Sequence, residues 1–154
     1  MVNELKKNII DLFPKKPLPK NKLNDAVYLY KYGKIEQQDL CDDKWVDWTK
    51  ITDNDISKCD ILFNYLDFYD CLYFLPRYMI WILDDIDNVL DPDIDRTSVD
   101  IPLFKWIYTH WSQIQDSTDL KRVTLIKQFL AYCNEDEDYS ISLFICDINI
   151  DFLK

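Results

Sequence analysis

The sequence predicts an all-α fold: a single compact multi-helix domain over residues 1–154, with about six helices. Three observations carry that expectation. Apolar residues recur at helical spacing in segment after segment, and an alternating strand-like run occurs only near the C-terminus. Apolar residues make up 48% of the chain and aromatics 15%, enough material for a real core at 154 residues. Capping residues also stand where helices should begin or end: Asn24 and Asp67 ahead of apolar runs, and Gly33, the only glycine, behind one.

The opening "MVNELKKNIIDLF" reads as an amphipathic helix with Leu5, Ile9, Leu12 and Phe13 on one side and Lys6 and Lys7 beside them. It is too short and too interrupted for a secretory signal, and its apolar face is small for a membrane surface. "PKKPLPK" (Pro14–Lys20) has no apolar periodicity, so residues 14–23 read as a linker or an extended strap over the body. "NDAVYLYKYG" is a short helix capped by Asn24 and closed by Gly33. "EQQDLCDDKWVDW" follows as loop and turn, and Asp53–Leu66 as one helix with Ile56, Cys59, Phe63 and Leu66 in phase.

The most apolar stretch is "FNYLDFYDCLYFLPRYMIWIL", Phe63–Leu83. Asn64, Asp67, Asp70 and Arg77 rule it out as a membrane span. A step of 100° per residue places Phe68, Leu72, Leu75, Met79, Ile82, Leu83 and Ile86 on one face, with Asp70, Tyr73, Arg77, Trp81 and Asp84 opposite. Phe74, Tyr78 and Ile80 fill the flanks, so this is the buried central helix, kinked at Pro76. Asp70, Arg77 and Asp84 read as a structural ion-pair stripe along its polar side. Pro102 starts a further helix carrying Leu103, Phe104, Ile107, Trp111 and Ile114, with "SQIQDSTDL" as a turn. The next helix places Leu120, Val123, Ile126, Phe129, Leu130 and Cys133 on one face. The segment 139–153 fits either a helix or a strand.

Three pieces of the chain resemble a family of small, mainly bacterial proteins of unknown function: "WTKI" (Trp48–Ile51), "LFNYLDFYDCLYFLPRYM" (Leu62–Met79) and "LIKQFLAYC" (Leu125–Cys133). The resemblance spans roughly the last two-thirds of the chain. Phe74 stands where those proteins have the tyrosine of "YLP", and Arg77 follows the proline. The resemblance implies a mostly helical fold and no catalytic residues.

With one glycine, no phosphate-cradling loop can be built, which weighs against nucleotide-dependent folds. The net charge of −10 is uneven: residues 1–34 carry eight lysines against Glu4, Asp11 and Asp25, leaving −15 on the remainder. Such a body repels nucleic acid and attracts basic partners. Whether the basic N-terminal part folds onto the acidic body is left open. The five cysteines (Cys41, Cys59, Cys71, Cys133 and Cys146) are odd in number and widely spaced, as expected of reduced cytoplasmic thiols. Asp91, Asp93 and Asp95 match the first positions of a calcium loop, but Arg96 stands where glycine is needed and Pro102 where glutamate is needed. No metal, cofactor or catalytic residue is therefore assigned.

The expected function is non-enzymatic: a cytoplasmic acidic protein that binds a basic protein partner, most concretely an inhibitor or immunity-type protein neutralising a toxin. The candidate docking residues are Asp84, Asp85, Asp87, Asp91, Asp93 and Asp95, with Asp42, Asp43 and Trp45. Two alternatives stand beside it. A DNA-mimic inhibitor would bind a nucleic-acid-binding protein. An enzyme with a carboxylate or Cys–His site would show a deep polar pocket with shifted pKa values.

Overall fold

A computed structural model describes residues 1–33, 46–94 and 99–136. The loop up to Trp45 and the ambiguous segment 139–153 lie outside the described residues. Among those described there are eight α-helices and no strand: α1 (Val2–Leu12), α2 (Asp25–Tyr32), α3 (Asp53–Lys58), α4 (Leu62–Tyr65), α5 (Phe68–Ile86), α6 (Asp100–Thr109), α7 (Trp111–Ser117) and α8 (Leu120–Asn134). A 3₁₀ turn at Trp48–Lys50 precedes α3. None of the described helices is long and apolar enough to cross a membrane.

Helix α5 is central, packing against α1, α3, α8 and the 3₁₀ turn. Asp67 caps it as expected, its Oδ1 accepting the Asp70 N–H at 2.9 Å. The helix runs unbroken through Pro76, which is buried. The proline removes the donor for the Leu72 carbonyl, a cost offset by packing on nearly every side. Phe74, Leu75, Tyr78, Met79, Trp81, Ile82 and Leu83 are all buried, and so are Asp70 and Arg77 from the side read as polar. Around this core sit Leu5, Ile9 and Phe13 from the N-terminal segment, and Val123, Ile126, Phe129, Leu130 and Cys133 from α8. Leu12 and Leu120, both assigned to apolar faces, are instead 41% and 79% exposed, because each lies at the edge of its helix's buried arc.

Eight helices appear where about six were read because two of them are divided. The single helix over Asp53–Leu66 breaks at Cys59–Ile61 into α3 and α4. Thr52 and Asp55 form a capping box that starts α3. At its other end, the Cys59 carbonyl accepts the Tyr78 hydroxyl from α5, a tertiary partner invisible to local periodicity. The helix over Pro102–Ile114 begins earlier, at Asp100, and breaks at His110. The Nδ1 of His110 lies 3.0 Å from the Trp106 carbonyl, and its ring packs beside those of Trp106 and Phe68. The segment after it, read as a turn, is α7.

Gly33 closes α2 at φ 67°, the left-handed geometry expected of it. Asn24 stands at the N-cap position but makes no side-chain cap bond; Asp25 instead accepts the Lys22 N–H at 2.7 Å. At the end of α5, Asn88 takes the left-handed role at φ 56°. The Asn88 N–H reaches the Asp85 carbonyl and the Val89 N–H reaches that of Asp84, which together form a Schellman closure.

Candidate functional site

The two ends of α5 hold the groups of interest. At its C-terminal end stand Asp84, Asp85 and Asp87, negative charges where the helix dipole is already negative. Lys6 of α1 compensates them, with its Nζ 2.6 Å from Asp84 and 3.5 Å from Asp87. Tyr132 of α8 donates its hydroxyl to Asp87 at 3.1 Å. The basic N-terminal segment therefore does fold onto the acidic body, and Asp84 and Asp87 are half-buried structural ligands of α1 and α8. Asp85 is also half-buried. Asp91 and Asp93 are exposed on the loop beyond, where Asp91 Oδ1 accepts the Asp93 N–H at 2.9 Å. Exposed Val89 and Pro92 lie beside them. Asp42, Asp43, Trp45 and Asp95 lie outside the described residues. Among the described residues, no three His, Cys, Asp or Glu side chains gather as a metal site requires.

The stripe read along α5 does not form, because its members face three different segments. Asp84 turns to α1. Arg77 donates from Nε to the Ile51 carbonyl at 2.7 Å and from Nη2 to the Asp53 carboxylate, tying α5 to the start of α3. Asp70 takes the strap: Oδ1 accepts the Lys20 N–H at 2.7 Å, while Oδ2 accepts the Asn21 N–H at 3.1 Å and the Asn21 amide at 2.8 Å.

Residues 14–23 are thus a strap and not a free linker. The Pro14 carbonyl accepts Trp48 Nε1 at 3.0 Å, and the Lys15 carbonyl accepts the Tyr73 hydroxyl at 3.1 Å. Between the strap, the first turns of α5 and the α7–α8 junction lies a cavity of about 420 Å³, lined mainly by apolar groups including Phe13, Leu18, Leu72 and Tyr69. Sequence reasoning did not find it, because it exists only once Asp70 and Tyr73 pin the prolines. Burial raises the Asp70 carboxyl above its ordinary value despite the strap donors. Both of its oxygens are already engaged.

The described cysteines are not placed for nucleophilic work. Burial pushes the Cys59 thiol up to about 12, and the same cause raises Cys71 and Cys133. Cys71 donates toward the Leu66 carbonyl at 3.5 Å. Cys59, Cys71 and Cys133 should therefore resist a thiol-alkylating reagent in the native protein and react fully in denaturant. Mapping the modified peptides by mass spectrometry checks this; fast native labelling of any of the three would contradict it.

The profile of one protein family, described as a family of unknown function (DUF6714), matches residues 1–99. The chain belongs to DUF6714. The matched part runs from α1 to the end of the acidic loop, so it holds the strap, α5, Arg77 and the docking candidates from Asp84 to Asp95. Of the three pieces that suggested a family, Trp48–Ile51 and Leu62–Met79 fall inside the DUF6714 match. Leu125–Cys133 lies beyond it, and the match starts at the N-terminus instead of covering the last two-thirds. No curated protein and no solved structure matches the chain.

Proposed function

We propose that this DUF6714 chain is a non-enzymatic protein-binding protein that engages a basic partner through the loop following α5, in the manner of an inhibitor or immunity protein that neutralises a toxin. The observation that carries the reading is the exposure of Asp91 and Asp93 beside Val89, which is 62% exposed, while Asp84 and Asp87 at the end of α5 are engaged by Lys6. Exposed carboxylates flanking an apolar side chain give a partner both long-range attraction and a small dry contact. The −15 charge of residues 35–154 steers a cationic surface toward them. Such a role needs shape and charge and no reacting group. The protein acts where its partner is, and a cytoplasmic site fits reduced thiols.

Affinity capture from lysate of the source cell, washed at low and high salt, tests the reading. One basic protein should be retained by the wild type, be released by salt and be lost from Asp91→Lys/Asp93→Lys. A matched thermal melt should show the variant to be folded. No specific protein at either salt, or equal retention by the variant, overturns the proposal.

A further inference from the structure

The cavity beneath the strap is independent of that docking loop. Its volume of about 420 Å³ falls within the range of small-ligand sites. It is also preformed: the bonds from Trp48, Tyr73 and Asp70 hold the strap backbone at Pro14, Lys15, Lys20 and Asn21, so little ordering remains to be done on binding. Leu18 and Tyr69 line it while remaining 53% and 68% exposed, and Leu72 lies half-buried in its wall.

The charged lining is uneven in the hydrogen-bonding capacity it leaves to a ligand. Asp67 and Asp70 contribute carboxylates, but Asp67 caps α5 and both oxygens of Asp70 hold the strap. Lys16, Lys20 and Arg122 contribute cations. Arg122 pairs with Asp119 at 2.8 Å, whereas the Nζ atoms of Lys16 and Lys20 meet no carboxylate among the described residues. The lining charges balance once Asp119 is counted, but the two lysine ammonium groups are left for a ligand, whereas the carboxylates already accept N–H donors of the fold.

We propose that the strap cavity binds a small amphipathic anion, an aromatic or short aliphatic carboxylate or sulfonate. Its apolar body lies against Leu72 and Tyr69 and its charged group lies toward Lys16 and Lys20.

The probe is anilinonaphthalenesulfonate, titrated by fluorescence into the full chain at low and high salt, beside its neutral isostere N-phenylnaphthylamine. The expected result is one saturable site, weakened by salt and displaced by octanoate, with the neutral isostere binding more weakly. Lys16→Glu/Lys20→Glu, at exposed positions that leave the core intact, should lower the affinity about tenfold. Asp91→Lys/Asp93→Lys should leave it unchanged, which separates this site from the docking loop. A melting temperature that rises with probe concentration shows that the native fold is what binds. Equal affinity of the neutral isostere, unchanged binding by Lys16→Glu/Lys20→Glu, or no saturable binding would overturn the assignment.

Discussion

Arg77→Met should lower the stability of the folded chain by about 3 kcal/mol, as removing one partner of a buried, hydrogen-bonded charge pair does. Arg77 lies in the middle of α5, and its side chain is only 11% exposed. Its guanidinium serves two acceptors with fixed geometry, the Ile51 carbonyl and the Asp53 carboxylate. The neighbouring Trp81 Nε1 reinforces the same joint, reaching the Asp53 carbonyl at 3.2 Å. Methionine keeps the apolar stem and so isolates the loss of the polar head. Arg77→Lys should recover little, because an ammonium cannot reproduce the fork that spans Ile51 and Asp53. Urea denaturation of the three proteins measures the effect. A loss under about 1 kcal/mol would mean that the pair contributes no more than a surface ion pair.

Asp70→Asn should cost about 2 kcal/mol at neutral pH. Three donors converge on the two oxygens of Asp70. An amide offers only one oxygen and turns its own N–H groups on the strap's donors. The pH dependence is a second handle. Burial raises the folded-state pKa of Asp70 above its ordinary 3.8, so the folded chain binds this proton more tightly than the unfolded chain does. The contribution of this group to stability therefore rises as pH falls from neutral through the raised folded-state pKa, and it levels off below the unfolded value. The exposed Asp119 behaves oppositely: its pKa is lowered, chiefly by the Arg122 N–H, so its contribution is present above the unfolded value and lost as pH falls through the folded one. The stability gap between wild type and Asp70→Asn should consequently widen on acidification. A gap that narrows would show that the strap's hydrogen bonds, and not burial, govern the carboxyl.

The helices legible in the sequence are those whose instructions are local. Asp67 caps α5, Gly33 closes α2, and the Val123–Ile126–Phe129–Leu130–Cys133 series sets α8. What was not legible depends on partners far along the chain. Asp70 and Arg77 looked like members of one ion-pair stripe because helical projection says which residues share a side, not what else packs there. Their partners lie 50 and 24 residues away. The breaks at Cys59 and His110 have the same origin: Tyr78 claims a carbonyl at the first, and the rings of Phe68 and Trp106 surround the imidazole at the second. Composition announced the acidic surface, yet only folding could show that Lys6 had already claimed Asp84 and Asp87.

The clasp formed by Lys6 across the end of α5 also fixes an order of events. It joins residues 81 positions apart, and α1 packs on α8 as well as on α5. Helix α1 leaves the ribosome ahead of the other described helices and must therefore wait, without its partners, until nearly all of them have been made. Loops that long close slowly, and until they close the apolar stripe of Leu5, Ile9 and Phe13 is open to solvent and to other chains. The lysines interleaved along residues 6–22 then have a second use: they repel like segments of neighbouring nascent chains during that wait and hold the stripe in solution until the acidic helix arrives to receive it.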